Sequence, residues 1–250
     1  MDNNISNEKK EEFSKIRSVL WPIHDYELKK ILPLFFIFFC ISFVYTILRD
    51  TKDTLVMTAP GAGAEVVPFL KLWCVVPAAV ILMLLYSKLS NIVSKENLFY
   101  VTIIPFLVFF LAFAFYLYPN CESIHPIESS KWLRSVLPNS AAFKGIIGIY
   151  RNWLFALFYT LSEMWGSMII TTLFWGFAND INGVEEAKRF YGILGIGANA
   201  ALVFSGRAIR WAASGGFGEG FDVALQALTL FIAVAGILIL ITYYWMNKVV

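Results

Sequence analysis

A single carboxylate stands within a long uncharged stretch of this sequence. Glu163 is the only charged residue between positions 152 and 179, and it lies near the middle of that stretch. An ionisable side chain at membrane depth is costly, so by default it marks a substrate or ion pathway. Glu163 would then contact a substrate, carry a proton or pair with a cation inside the protein. The alternative is a structural role, in which the carboxyl is protonated and hydrogen-bonded to a neighbouring helix.

A second cluster of ionisable residues, from Arg49 to Asp53 with the sequence RDTKD, lies toward the end of the first apolar stretch. Arg49 and Lys52 are three residues apart and would share one helix face, while Asp53 is four residues from Arg49 and could pair with it. A cation pair with adjacent counter-ions suits a phosphate or carboxylate that must bind and then leave, with lysine as a point charge and arginine as a bidentate fork. The pattern predicts anion binding by Lys52 and Arg49. The alternative ends the helix at Leu48 and places the polar residues in an interfacial loop.

The overall composition is that of an integral membrane protein. Of the 250 residues, 58% are hydrophobic and 15% are charged, whereas a soluble domain carries about 25% charged residues. The mean hydropathy is +0.67. The lipid bilayer is therefore the expected surrounding. A net charge of +2 without a dense basic tract gives no reason to expect nucleic-acid binding.

Motifs for catalysis or cofactor binding are not found in the sequence. The three cysteines are scattered, which predicts neither a disulfide framework nor a metal site. Neither a phosphate loop of the Walker type nor a dinucleotide-binding fingerprint is present. We also find no pairing of a nucleophile with a base. The expectation is therefore a protein that is not an enzyme and that needs no cofactor and no metal.

The apolar stretches predict an all-α integral membrane protein with six transmembrane helices. About 20 apolar residues are needed to cross the hydrocarbon core. Six segments of the region 31–247 meet this requirement, and they cover residues 33–59, 66–86, 98–118, 152–179, 190–213 and 223–247. Residues 1–30 form a polar tail, and residues 119–151 form a long loop that is expected to carry a short surface helix.

The distribution of Lys and Arg predicts the orientation of the six spans. With the N-terminus inside, the cytoplasmic segments carry eleven Lys and Arg residues and the opposite segments carry six, a bias that favours cytoplasmic termini. The tail 1–30 and the end 248–250 would then be cytoplasmic, and 119–151 would be an outer loop. The charges at 185–189 are expected to form a solvated, topology-setting cluster rather than a gate.

Six spans with both termini on one side correspond to one half of a twelve-span transporter of the major-facilitator type, in which two six-helix bundles face each other across a central site. We therefore expect a second six-helix half as a partner, either as a missing C-terminal half or as a separate chain. In the fifth span, Gly197, Ala201 and Ser205 form a small-residue stripe that permits close helix packing. Asn199, near the centre of that span, would hydrogen-bond either another helix or a substrate.

Several long motifs resemble those of the bacterial and plastid ATP/ADP translocases. The matching segments are 46–53 (TILRDTKD), 159–166 (YTLSEMWG), 173–179 (LFWGFAN), 186–191 (EAKRFY) and 195–199 (GIGAN). An intramembrane lysine and a glutamate of this family match Lys52 and Glu163, the two positions that the charge pattern had already selected. Ser162 and Met164 depart mildly from the family pattern.

The resemblance implies a major-facilitator-like fold that exchanges ATP for ADP by alternating access, in the inner membrane of an obligate intracellular bacterium rather than in a plastid inner envelope. Lys52, helped by Arg49, would attract the polyphosphate. Glu163 would balance charge or hold the ribose or base, and Asn199 would hydrogen-bond the base. Family members are about twice as long, so the chain corresponds to their N-terminal half. Two alternatives stay open: a proton-coupled importer of other nucleotides or NAD, and a degenerate half that acts as a non-transporting membrane subunit.

Overall fold

The computed structural model describes residues 23–138 and 140–249, so residues 1–22 of the predicted tail 1–30 lie outside this range. The described residues form helices and no strands, which confirms the all-α class. Six of these helices are long and apolar enough to cross a membrane. They are α1 (Leu28–Met57), α2 (Ala64–Ser90), α3 (Lys95–Leu117), α4 (Trp153–Ile181), α5 (Val184–Ala213) and α6 (Phe221–Val249). We call the end of the bundle where α1 begins the proximal end and the opposite end the distal end.

Helix α1 is the central element of the bundle. It packs along α5 and α6 for most of its length and also contacts α4. The small-residue stripe of α5 makes the first of these contacts close, because Gly197, Ala201 and Ser205 are all buried. A Cβ atom on Gly197 would lie only 2.9 Å from the ring of Phe35 on α1. The absence of a side chain at this position thus sets the distance between the two helices.

The first helix begins earlier than the sequence indicated. The predicted span began at residue 33, where a proline is favoured in a first helical turn. Instead, α1 begins at Leu28 and contains Pro33 in its interior. The physical reason is the anchoring of the preceding residues. Glu27 accepts a hydrogen bond from the backbone N–H of His24 at 2.8 Å and is held by Arg189. These contacts stabilise an additional turn that the proline alone would not favour.

Three of the spans contain π-helical segments, which the sequence did not predict. These segments are Lys71–Val75 in α2, Phe113–Leu117 in α3 and Trp165–Phe174 in α4. In α4 the wider winding begins two residues after Glu163. The indole N–H of Trp165 donates to the carbonyl oxygen of Ile41 at 3.3 Å, so this junction is fixed directly against α1. Single turns of π-helix occur frequently at functional sites.

The segment between α3 and α4 forms more structure than one surface helix. It contains Cys121–Ile124, Ile127–Val136 and Ala141–Arg151, and the last two pack together as a distal helix pair. Asn152 attaches this pair to the turn between α1 and α2. Its side-chain amide donates to the carbonyl oxygens of Pro60 at 3.2 Å and Gly148 at 3.0 Å.

Ion pairs join α1 to α5 at the proximal end, where the sequence predicted a solvated cluster. Arg189 donates to both carboxylate oxygens of Glu27, with an Nη1–Oε2 distance of 2.8 Å, and Lys30 pairs with Glu186 at 2.8 Å. The Glu27 side chain is only 2% exposed and that of Arg189 is 25% exposed. Arg189 therefore takes part in a largely buried ion pair, and the expectation that it belongs to a solvated cluster was wrong. Burial alone would raise the pKa of Glu27, but the hydrogen bonds and charge of Arg189 outweigh it and hold the pKa below its usual value.

Replacing Glu27 by Gln should destabilise the protein by about 3 kcal/mol, because removal of one partner leaves a partly buried guanidinium uncompensated. Since the pKa of Glu27 is lowered in the folded protein, the contribution is complete above the ordinary glutamate pKa of about 4.3. It is lost as the pH falls through the lowered value. The measurement is thermal unfolding of the purified wild type and variant between pH 7 and pH 3.

The matched control for this prediction is Asp180→Asn, which removes an exposed cross-helix pair with Lys95. It should change stability by less than about 1 kcal/mol. A Glu27→Gln variant that is as stable as Asp180→Asn at neutral pH would show that the buried pair contributes nothing.

Candidate functional site

The two residues selected from the sequence, Lys52 and Glu163, lie against each other in the structure. Lys52 is in the second-last turn of α1, and Glu163 lies just before the π-helical segment of α4. Their Nζ and Oε1 atoms are 3.0 Å apart. The Lys52 side chain is 5% exposed and that of Glu163 is 26% exposed. The packing of α1 on α4 thus places one charge of each sign inside the spanning region.

The Lys52 ammonium has a second carboxylate neighbour and an aromatic neighbour. Asp53 Oδ1 lies 2.7 Å from the Lys52 Nζ, and the centre of the Tyr159 ring lies 4.0 Å from it. Two carboxylates and one ammonium leave the group with a net negative charge when all three are ionised. A buried ammonium needs such counter-ions as long as no other anion is present. An incoming phosphate would therefore have to displace a carboxylate from Lys52.

Tyr159 was not singled out from the sequence, although its position gives a signal. It lies four residues before Glu163 and hence on the same helix face, and its ring is buried. A cation over an aromatic ring gains energy that increases when the pair is removed from water. Tyr159 therefore fixes the Lys52 ammonium without adding charge.

The cluster around Arg49 is helical but is paired differently from the prediction. Because α1 continues to Met57, the alternative of an interfacial loop after Leu48 is wrong. The predicted pair of Arg49 with Asp53 is also wrong: Arg49 Nε donates to Asp50 Oδ1 at 3.2 Å, because Asp53 binds Lys52.

The exposed face of α1 in this region is polar. Arg49, Asp50 and Thr54 are exposed, and the Asp53 side chain is partly exposed. Charged side chains inside a membrane face a water-filled cavity or another part of a protein rather than lipid. This face of α1 therefore marks the side of the bundle on which an aqueous site can exist.

A cavity of about 430 Å³ lies beside this polar face, between α1 and the distal parts of α5 and α6. Asp50, Thr51 and Thr54 contribute its polar lining, and Phe221 belongs to its apolar wall. The Thr51 hydroxyl is buried without a hydrogen-bond partner among the described residues. Lys52 and Glu163 do not line this cavity, so their surroundings form a separate part of the bundle.

Asn199 does not join the group around Lys52. Its side chain is exposed and donates to the carbonyl oxygen of Gly195 on its own helix at 3.0 Å. This contact is not the hydrogen bond to another helix that was one of its two predicted roles. A hydrogen bond from Asn199 to a substrate stays a prediction. Within residues 23–138 and 140–249, no cluster of three or more His, Cys, Asp or Glu side chains could hold a metal ion.

Comparison with known proteins gives consistent matches over nearly the whole chain. Residues 6–250 match the family model described as TLC ATP/ADP transporter. The chain is 53% identical to "ADP,ATP carrier protein 1" of Chlamydia muridarum, 48% identical to "ADP,ATP carrier protein 1, chloroplastic" of Arabidopsis thaliana and 42% identical to "ADP,ATP carrier protein 1" of Rickettsia prowazekii.

These matches cover 95%, 89% and 98% of this chain but only 46%, 36% and 49% of the three relatives, respectively. The chain therefore spans about half the length, or less, of the curated relatives it matches. No solved structure matches it.

The contact between Lys52 and Glu163 predicts that substitutions at these positions are not additive. Lys52→Met should destabilise the wild type more than it destabilises a Glu163→Gln variant. In the wild type the substitution leaves the Glu163 carboxylate without its cation, whereas in Glu163→Gln that carboxylate is absent. The expected coupling energy is about 1–3 kcal/mol, measured by thermal unfolding of the four proteins of the cycle. The exposed pair Lys131 and Glu128 provides the control cycle, with an expected coupling below about 0.5 kcal/mol. Additive effects for both pairs would contradict a close ionic contact.

Proposed function

Because the chain belongs to the TLC ATP/ADP transporter family, we propose that it forms the N-terminal half of a transporter that exchanges ATP for ADP. The relatives named as ADP,ATP carriers support this proposal, as does the placement of a charged group inside six spanning helices. The exchange makes and breaks no covalent bond, and we assign no enzymatic step to any residue.

The observation that carries the proposal is the Lys52 ammonium held between two carboxylates on an aromatic ring. Without substrate, Asp53 and Glu163 keep the ammonium charged inside the bundle. A polyphosphate group has more charge and more acceptor oxygens than either carboxylate, so it competes for the same three ammonium donors. Binding then gives the ammonium a phosphate partner in place of a carboxylate, so Lys52 is at no stage buried without a counter-ion. Release restores the carboxylate contacts, so the phosphate can leave.

Arg49 and Asn199 have supporting roles in this proposal. The Arg49 guanidinium lies on the polar face of α1, one turn before Lys52, and its ion pair within the described part of the chain is with the exposed Asp50. It can therefore donate two parallel hydrogen bonds to a pair of oxygens on a second phosphate group. Glu163 balances the charge of Lys52 while no phosphate is bound, and it accepts a hydrogen bond from the ribose or base when substrate is present. Asn199 provides an exposed amide for the base.

The polar face of α1 also supports a second six-helix half as the partner of this bundle. Charged side chains on this face are unfavourable against lipid, whereas an opposing bundle would enclose an aqueous site with them. Rocking of the two halves would then open the site to either side in turn. Exchange of tetra-anionic ATP for tri-anionic ADP moves one net charge, which changes the energy by about 2.3 kcal/mol per 100 mV.

The proposed location is a bacterial inner membrane, with the proximal end of the bundle and both chain termini facing the cytoplasm. The excess of Lys and Arg in the proximal segments supports this orientation. The distal helix pair would then lie on the outer side. In an intracellular bacterium this orientation would bring ATP of the host to the distal end.

A proton-coupled importer of other nucleotides or NAD is the second candidate. The observation that favours it is the partly exposed Glu163 carboxylate beside Lys52, since a proton on Glu163 would leave Asp53 as the counter-ion of the ammonium and make room for an anion. A non-transporting half is the remaining alternative, because the chain covers only about half of its relatives.

We expect Lys52→Ala and Glu163→Gln each to reduce ATP exchange by about tenfold or more, because a hydrogen bond to a charged group contributes about 1.5–3 kcal/mol. The measurement is uptake of labelled ATP by cells that express this chain together with the second half. Membrane levels of each variant are quantified in parallel. Lys188→Gln, which removes an exposed ammonium paired with Glu185, is the control with unchanged uptake. Near-normal uptake by both site variants would remove Lys52 and Glu163 from the site.

The substrate assignment is tested by preloading these cells with labelled ATP and adding excess external ADP. Label efflux that requires ADP, is insensitive to a protonophore and occurs only when both halves are present is the expected result. Uptake that collapses with the protonophore and is indifferent to ADP would favour the proton-coupled importer. A chain that is inserted in the membrane but inactive with the second half would favour the non-transporting subunit.

A further inference from the structure

Two arginines from different helices converge on the turn between α1 and α2. The turn contains Gly61, whose φ of +72° is a conformation that favours glycine. Arg134 is in the first helix of the distal pair, and Arg151 is the last residue of the second. Arg134 Nη2 donates to the Gly61 carbonyl oxygen at 3.2 Å. This bond uses one of the five donors of that guanidinium and leaves the others available.

The two guanidinium groups are close enough to bind one small anion together. Arg151 Nη1 and Arg134 Nη1 lie 3.1 Å and 3.4 Å from the point where a Cβ atom of Gly61 would be. These two nitrogens are therefore at most about 6.5 Å apart. Charge-assisted N–H···O bonds are about 2.7–2.9 Å long, so two oxygens of one phosphate group can span this separation. Gly61 permits the arrangement because it places no side chain between the arginines.

Neither arginine forms an ion pair with a carboxylate of the described residues. All other cation clusters described above have an acidic partner: Lys52 has Asp53 and Glu163, and Arg189 has Glu27. Two like charges placed together without a counter-ion repel each other. The C-terminal end of α1 compensates this repulsion only in part, since a helix end carries about half a charge.

The pKa of the neighbouring His125 is affected by the positive charge at this position. Its ring packs edge-on against Phe155, with centroids 4.9 Å apart. Its Nε2 atom is buried and has no hydrogen-bond partner among the residues that the structure describes. Burial and, secondarily, the charge of Arg151 lower the pKa of His125. His125 therefore stays neutral at pH 7 and adds no third cation to the pair.

We propose that Arg134 and Arg151 form a binding site for a phosphate group, with Gly61 between them, at the distal end of the bundle. The site is distinct from Lys52, which lies within α1 nine residues before Gly61 and is paired there with Asp53 and Glu163. The phosphate would belong either to a soluble polyphosphate or to the headgroup of an anionic lipid, because both present the same oxygens. Phosphate binding at this site does not require transport by the chain.

Pyrophosphate binding to the purified chain in nanodiscs of neutral phosphatidylcholine tests the site. In calorimetric titrations at low salt, Arg151→Gln should weaken binding at least about tenfold, because hydrogen bonds to charged groups contribute about 1.5–3 kcal/mol. Arg134→Lys, which keeps the charge but loses the planar fork, should give an intermediate loss. The control is Lys144→Gln, an exposed cation on the same helix as Arg151, with less than about a twofold change. The same series in a Lys52→Ala background separates this site from any binding at Lys52.

The second arm of the experiment uses nanodiscs of anionic phosphatidylglycerol to distinguish the two sources of phosphate. If a lipid headgroup occupies the site, wild-type protein will bind pyrophosphate weakly there. Native mass spectrometry will then show a retained anionic lipid that Arg151→Gln releases. Equal pyrophosphate binding and equal lipid retention by wild type and Arg151→Gln would overturn the inference. These experiments measure binding and not transport. If the protein binds phosphate at Arg134 and Arg151 but does not exchange ATP for ADP, only the proposed function is contradicted.

Discussion

The need to compensate one buried ammonium organises the interior of this bundle. Lys52 lies on the central helix α1, and its charge can remain inside the spanning region only with anions at close range. Asp53 provides one from the same helix, and Glu163 provides the other from α4. The contact of α1 with α4 is thus electrostatic as well as apolar, and Tyr159 closes the side that the carboxylates leave open. The close packing of α1 on α5, permitted by Gly197, holds the other side of the same helix in place.

Ion pairs at two levels of the bundle have opposite relations to solvent. At the proximal end, Glu27 and Arg189 are paired in a bidentate arrangement with the carboxylate almost fully buried. Near the distal end of α1, Arg49 and Asp50 form an exposed pair with a single short contact. The pair of Glu27 with Arg189 joins α1 to α5. The exposed pair leaves Arg49 and Asp50 accessible to other binding partners. Rigid and exchangeable contacts are therefore located at different depths along one helix.

The sequence predicted what depends on composition and on the cost of charge in lipid. Six long apolar segments predicted six spans. The isolation of Glu163 selected that residue, and the charged cluster from Arg49 to Asp53 selected Lys52. Pairing of Glu163 with an internal cation was one of three functional roles considered. Contacts set by tertiary packing could not be predicted: the ring of Tyr159 over Lys52, the pairing of Asp53 with Lys52 instead of Arg49, and the bond of Arg189 to Glu27. The convergence of Arg134 and Arg151 likewise depends on how the distal helix pair folds over Gly61.

The π-helical winding of α4 has a mechanical consequence for the carboxylate that precedes it. From Trp165 to Phe174, backbone hydrogen bonds reach five residues instead of four. If the boundary between the two windings moves by one residue, the chain on one side turns relative to the other, because one residue then follows the wider winding instead of the α-helical one. All but a few backbone hydrogen bonds are kept in such a change. Glu163 lies two residues from this boundary, so a shift in register alone can change the position of its carboxylate relative to the Lys52 ammonium while α4 stays helical across the bilayer.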